Sequence, residues 1–379
     1  MKKKILTLCL ILTPQILFAQ QLRYSEVCSS SEPLVTLSFV GDILVHKILY
    51  QSVVNSSQKF SSIWEKTDGL IRKADLSIAN LEGPAALGID KNGRDRGDVG
   101  FIYDDDVYSG TNFRFNYHPR ILNNLQTSGY DLISFSNNHT LDRGSIGVDR
   151  TLEAAKKINL PMVGARHSQE RNAGFHSIHT VKGLRLAFLA CTEMTNGRAD
   201  SKEQLLLCYK QGDQVVKIIR ELAKRNDIDG VIVMPHWGVE YQHQPSSQQK
   251  SYARKFLEAG AFAIVGSHPH VLQPWEKYIT SDGRETVIMY SLGNFVAGQK
   301  DVSRKTGVVT YLGLGKGTGG KARIVGVGYT PTYREGAVVS PVGSKDSSAV
   351  LKHAAQFFGT SQRIEPQGLL RPTLCSKVQ

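Results

Sequence analysis

Two kinds of pattern alternate along this chain. Short unbroken apolar runs, bounded by Gly, Pro, Asn or charged residues, read as strands covered on both faces. They fall at 34–40, 76–81, 132–135, 184–190, 230–234, 262–265 and 286–289. Between them lie stretches with apolar residues three and four apart, the spacing of a helix that lays one face on a core. Val148, Leu152, Ala155 and Ile158 form one such stripe, and Val215, Val216, Ile219 and Leu222 form another. Further helices are predicted over 47–54, 63–71, 119–127 and 248–257, with a short extended piece at 161–163. Repeated alternation of strand and helix predicts an α/β fold.

The alternation breaks twice. Residues 88–117 show no period and carry Asp90, Asp95 and the run Asp104-Asp105-Asp106. A segment this long without regular structure is expected to lie over a site. Beyond residue 300 come two Val- and Gly-rich strands, 307–314 and 323–329, joined by a charged turn and followed by a helix over 348–358. These read as a small C-terminal β/α extension at a sheet edge.

The N-terminus departs in another way. Lys2-Lys3-Lys4 precede a largely apolar stretch, Ile5 to Phe18, and then Ala19. That is the layout of a secretory signal peptide, too short for a comfortable membrane span. The expected organisation is a leader at 1–19, a loose polar arm at 20–33, a main domain at 34–300 and the extension at 301–379. Export to the periplasm, cell envelope or medium is implied, and no later stretch is apolar for long enough to span a bilayer. The formal charge is +12, and removing the leader takes away lysines and no acid. A basic exported chain favours an anionic partner. Nucleic acid is not the expected one, because no helix-turn-helix, zinc-finger or aromatic-interleaved basic motif occurs. Cys28, Cys191, Cys208 and Cys375 remain after processing. An even set in an oxidising compartment points to disulfides, with three connectivities open. The expected one joins Cys191 to Cys208 across a local loop and Cys28 to Cys375 across the two ends.

Candidate chemistry sits where the apolar runs stop. Asp42, Glu82, Asn138, His236 and the pair His268/His270 each follow a predicted strand. Parallel strands would deliver all of these ends to one edge of a sheet, where open α/β folds place their ligand sites. His268 and His270, one residue apart, would project to the same side of an extended segment. Imidazole, carboxylate and amide together suit divalent manganese, zinc or iron. A carboxylate able to bridge two such ions is what a two-metal hydrolytic site requires.

In chain order these endings are Gly41-Asp42, Asn80-Leu81-Glu82, the stretch Ser136 to Asp142, His236-Trp237-Gly238-Val239-Glu240-Tyr241, Gly266 to Gln273, and Tyr290 to Phe295. The set resembles the successive motifs of the CapA family, bacterial poly-γ-glutamate capsule synthesis proteins within the calcineurin-like metallophosphoesterase superfamily. The resemblance runs from about Val35 to Val296. It implies a metallophosphoesterase-like β-sandwich flanked by helices, with two divalent metal ions at the sheet ends. Carried over motif by motif, Asp42 and His270 would hold the first ion and Asn138, His236 and His268 the second, with Glu82 bridging. His139 would be the general acid, beside the amide ligand. The superfamily's first motif is Asp-x-His, whereas here His46 lies four residues past Asp42 and becomes an additional ligand candidate. Asn137 would support the backbone, Asp142 and Glu240 would orient histidines, and Asn294 lies in the last motif. The implied function is capsule or related anionic exopolymer biosynthesis by an exported hydrolase or transferase. Its substrate would be an anionic polymer or a phosphorylated carrier, and capsule synthesis and export machinery would be its partners. The alternative is a catalytically weak or inactive protein that binds the polymer during export.

Overall fold

The computed structural model describes residues 21–25, 28 and 33–375. The expected leader, 1–19, and most of the arm lie outside the described residues. Four parallel strands open the fold: β1 (Val35–Leu44), β2 (Leu76–Leu81), β3 (Leu132–Ser134) and β4 (Met162–Val163). The next six are β5 (His176–Val181), β6 (Leu184–Thr192), β7 (Gly230–His236), β8 (Ala263–Val265), β9 (Leu272–Ile279) and β10 (Glu285–Leu292). The last are β11 (Asn294–Ala297), β12 (Thr306–Lys316), β13 (Ala322–Glu335) and β14 (Val338–Pro341). They make an eight-stranded sheet ordered β14-β13-β12-β1-β2-β3-β4, with β11 also paired to β1, and a six-stranded sheet ordered β5-β6-β7-β8-β10-β9.

The α/β class expected from the sequence is the one observed, two sheets flanked by helices. The inner faces meet in one core, where Leu37, Phe39, Ile78 and Leu132 of the first sheet join Leu186, Phe188, Ile232 and Met289 of the second. On the outer face of the second sheet, Leu189, Val231, Val233 and Ile264 pack with Val215, Ile219 and Leu222 of the Gly212–Lys224 helix and Phe256 of the Ser247–Glu258 helix. Alternate residues of one strand thus serve two cores, which is why these strands read as unbroken apolar runs. All of β1 is buried.

The C-terminal strands do more than fringe the sheet. β12 runs antiparallel against β1, from Val35 opposite Leu314 to Val40 opposite Val309. Without it, the fully buried β1 would present an unpaired edge. β13 and β14 take the margin instead. The arm, expected to be loose, is packed where it is described. Leu22 and Tyr24 are buried, and Leu22 exchanges backbone bonds of 3.0 Å with the Gln362 amide in both directions. Cys28 is bonded to Cys375, and Cys191 to Cys208.

Candidate metal centre

β1 delivers Asp42 at a close approach that only glycine permits. A Cβ on Gly41 would lie 1.8 Å from the Gly293 carbonyl oxygen, and that carbonyl accepts the Asp42 N–H at 3.1 Å. Asp42 consequently stands level with Asn80 on β2 and Asn294 on β11. Glu82 follows β2, Asn138 and His139 lie in the turn after β3, and His236 ends β7. His268 and His270 occupy the connection between β8 and β9.

The second sheet's strand ends meet those of the first. His236 Nε2 lies 2.8 Å from Asn138 Oδ1, 3.2 Å from His268 Nδ1 and 3.4 Å from Glu82 Oε1. His270 Nδ1 lies 3.1 Å from Asp42 Oδ2, and its Nε2 lies 3.7 Å from Glu82 Oε1. Two groups able to hold a cation result, Asp42–Glu82–His270 and Glu82–His236–His268, with Glu82 common to both. The 268–270 segment is not extended as expected. Both histidines adopt left-handed backbone, φ 102° and 58°, so their imidazoles enter different groups. Such conformations are disfavoured outside glycine and concentrate at functional sites.

The electrostatics fit cation ligation. Both Glu82 carboxylate oxygens are buried and accept no hydrogen bond among the described residues. A buried ionised carboxylate without a partner is expensive. Burial pushes Glu82 up to about 8 against the pull of His270, so protein groups alone do not compensate its charge. Burial also pushes His236 down to about 3 and His268 well below its ordinary value, which keeps both imidazoles neutral, the ligating form. Burial would raise Asp42, but the His270 hydrogen bond and the His270 and His236 charges hold it below the usual carboxylate range. His270 goes the other way, to about 10, because Glu82 and Asp42 outweigh its burial. Asp42, Glu82 and the three imidazoles therefore suit a divalent ion.

Residues around this core fix the ligands. Asn80 Nδ2 donates to Asp42 Oδ1 at 2.9 Å, Ser267 Oγ lies 3.0 Å from His236 Nδ1, and Asn294 Oδ1 lies 3.0 Å from His270 Nδ1. Sequence reasoning passed over Asn80 and Ser267 as ligand supports. Asn80 carried a usable signal, lying near the end of β2 two residues before Glu82. Asn137 donates from Nδ2 to Leu81 O at 2.8 Å and accepts the His139 N–H at 3.2 Å. His139 Nδ1 lies 2.8 Å from Asp142 Oδ2, which also accepts the Phe115 N–H at 2.8 Å. Two expected residues stand beside the groups rather than in them. His46 Nδ1 accepts the Gly298 N–H at 3.1 Å, and burial pushes this imidazole down to about 4. Glu240 is half-buried and, among the described residues, makes no hydrogen bond to the site imidazoles; its charge acts on them through space.

The motifs that converge here match one family profile, "Bacterial capsule synthesis protein PGA_cap", over residues 36–299. The chain belongs to this family. The PGA_cap match spans every strand end described above. "PGA biosynthesis protein CapA" of Bacillus subtilis (strain 168) is 32% identical over 296 residues, 78% of this chain and 72% of that one. "Capsule biosynthesis protein CapA" of Bacillus anthracis is 28% identical over 270 residues, and the match covers 70% of this PGA_cap chain and 60% of the length of that protein. Among solved structures, Haemophilus influenzae NAD nucleotidase (NadN) shows 12% identity and a TM-score of 0.46, over 87% of this chain and 57% of that one. A likeness that distant carries no argument about activity.

Proposed function

We propose that this chain is an exported, metal-dependent hydrolase or transferase of capsule or related exopolymer synthesis, acting on an anionic envelope polymer or a phosphorylated carrier. Asp42 and His270 would hold one divalent ion, Asn138, His236 and His268 a second, and Glu82 both. The observation that carries this reading is Glu82, whose buried carboxylate oxygens lack hydrogen-bond partners among the described residues and stand between two sets of candidate ligands. Manganese, zinc or iron bound there supplies Lewis-acid charge and lowers the pKa of a water.

The chain's own residues supply orientation and a proton. Asn80, Ser267 and Asn294 hold the carboxylate and imidazoles in place. Asp142 Oδ2 accepts a hydrogen bond from His139 Nδ1–H, which orients the ring and leaves Nε2 as the nitrogen that would hand its proton to the leaving group. The Phe115 ring packs against the His139 imidazole in a T-shaped contact, with centroids 4.7 Å apart. The leader read at 1–19 supports export, and no helix among the described residues is long and apolar enough to cross a membrane.

Elemental analysis of the exported protein, paired with a phosphoester hydrolysis screen in manganese and in zinc, tests the reading. Stoichiometric metal and turnover are expected in the wild type. Metal retained by both Asp42→Asn and His268→Ala would refute the ligand assignment. Normal polymer output from His139→Ala would move the protein to the binding role.

A further inference from the structure

We propose that Arg198 and Phe113 form a substrate subsite beside His139, one that takes an oxyanion carried on a short apolar stem; this rests on the reading of the metal centre given above. The two residues come from different parts of the fold. Arg198 sits on the loop that follows β6, closed at its base by the Cys191–Cys208 disulfide. Phe113 lies in the irregular excursion 88–117.

The disulfide-closed loop reaches across to the His139 turn of the other sheet. Asn138 Nδ2 donates to Asn196 Oδ1 at 3.3 Å, and Asn196 Nδ2 lies 3.5 Å from His139 Nδ1. Arg198 Nη2 donates to the Phe113 carbonyl at 3.0 Å, and Nε lies 3.7 Å from Asp142 Oδ1, which accepts no hydrogen bond among the described residues. Among the described residues the Arg198 Nη1 makes no hydrogen bond. Its side chain is about one-third exposed, so Nη1 keeps donors for a ligand close to Asp142, the carboxylate bonded to His139. A guanidinium in that state suits carboxylate or phosphate oxygens.

Phe113 gives the apolar half. Its ring lies almost parallel to the His139 imidazole, at 10° with centroids 5.8 Å apart, and the residue is 58% exposed. Asn112 and Phe113 both adopt left-handed backbone, φ 55° and 52°. A bulky aromatic residue in that conformation is an outlier, and its contact with His139 still leaves more than half of it uncovered. Strain beside a site, with an aromatic surface left open, points to a contact outside the chain. A ligand stem lying on Phe113 with its oxyanion on Arg198 would place the bond to be broken near His139 Nε2.

The test is calorimetric titration of the exported, manganese-loaded protein with two probes, a γ-linked hexaglutamate and inorganic tripolyphosphate. Wild type is expected to bind at least one, and which one identifies the oxyanion as carboxylate or phosphate. Arg198→Gln is expected to weaken that binding about tenfold or more, the loss of one charge-assisted hydrogen bond. Phe113→Ala is expected to weaken hexaglutamate and to spare tripolyphosphate, which has no apolar stem. Arg220→Gln, on the outer helix, serves as the control with unchanged affinity. Wild type that binds neither probe overturns the proposal, as does an Arg198→Gln variant with wild-type affinity and an unchanged melting temperature. Unaltered hexaglutamate affinity in Phe113→Ala overturns the apolar half. Metal content measured on the same samples separates the readings. Absent metal counts against the metal centre, whereas full metal with no change in Arg198→Gln counts against the subsite alone.

Discussion

The β12–β13 ladder and the cluster of strand ends around Glu82 are equally shielded from water and built from opposite chemistry. In the ladder, Val309, Tyr311, Leu312, Val327 and Tyr329 have no exposed surface, and the backbone pairs from Thr306–Tyr333 to Lys316–Ala322. In the cluster, Asp42 and Glu82 are fully buried and His236, His268 and His270 nearly so. The ladder's burial stabilises the fold by removing apolar area from water. The cluster's burial does the reverse, since charged groups lose hydration that their neighbours replace only in part. Concentrating that cost where the strand ends of the two sheets meet makes sense if an ion completes the balance. The difference separates what holds this protein together from what it is for.

Substitutions can break or sharpen that contrast. The largest effect is expected from Asp42→Asn or His268→Ala, which should abolish bound metal by elemental analysis while circular dichroism keeps its native form. His139→Ala should retain its metal and lose about a hundredfold to ten-thousandfold in turnover, the range for a general acid; loss of metal in this variant would place His139 among the ligands. In the ladder, Leu312→Ala should cost about 3 kcal/mol in denaturant unfolding and leave metal affinity alone. A metal defect there would erase the distinction between the two regions. Removing the Cys191–Cys208 bond by a double Ala substitution should also cost about 3 kcal/mol, given the loop size. Glu82→Gln should have the smallest effect on folding. The metal-free variant should be as stable as the metal-free parent or more stable by about 1 kcal/mol, because the cost of burying that carboxyl and holding it protonated is gone, yet its metal affinity should collapse.

Acidity gives an independent handle. Burial pushes Glu82 up to about 8, and the Glu82 and Asp42 carboxylates hold His270 up at about 10 against its burial, so both must shed protons to act as ligands. Metal binding should therefore release protons and tighten as pH rises from about 6 to about 9. Competition with a chromogenic chelator at several pH values checks the sign; affinity that is flat or falls with pH would contradict it.

Much of the site was legible because apolar runs and the polar residues that end them are local signals. Asp42, Glu82, Asn138, His236, His268 and His270 were each visible as the residue where a buried strand stops. Local pattern also misled. β5 and β9 escaped notice because His176, His179, Gln273, Pro274 and Glu276 interrupt their apolar runs. The 268–270 segment looked extended, and its left-handed turns became evident only once Asp42 accepted the His268 N–H. Arg198, Asn196 and Phe113 lie in stretches without any period, so nothing in their neighbours marked them.

The sequence by itself determined the alternation of buried strands and amphipathic helices, and the polar group that closes each strand, because both depend on residues close together in the chain. Tertiary structure alone decided that His268 and His270 turn left-handed into different ligand groups and that β12 seals β1. It also decided that a disulfide-closed loop from one sheet meets His139 from the other. Those outcomes depend on how two sheets face each other across a common core, and no stretch of neighbouring residues encodes that distance.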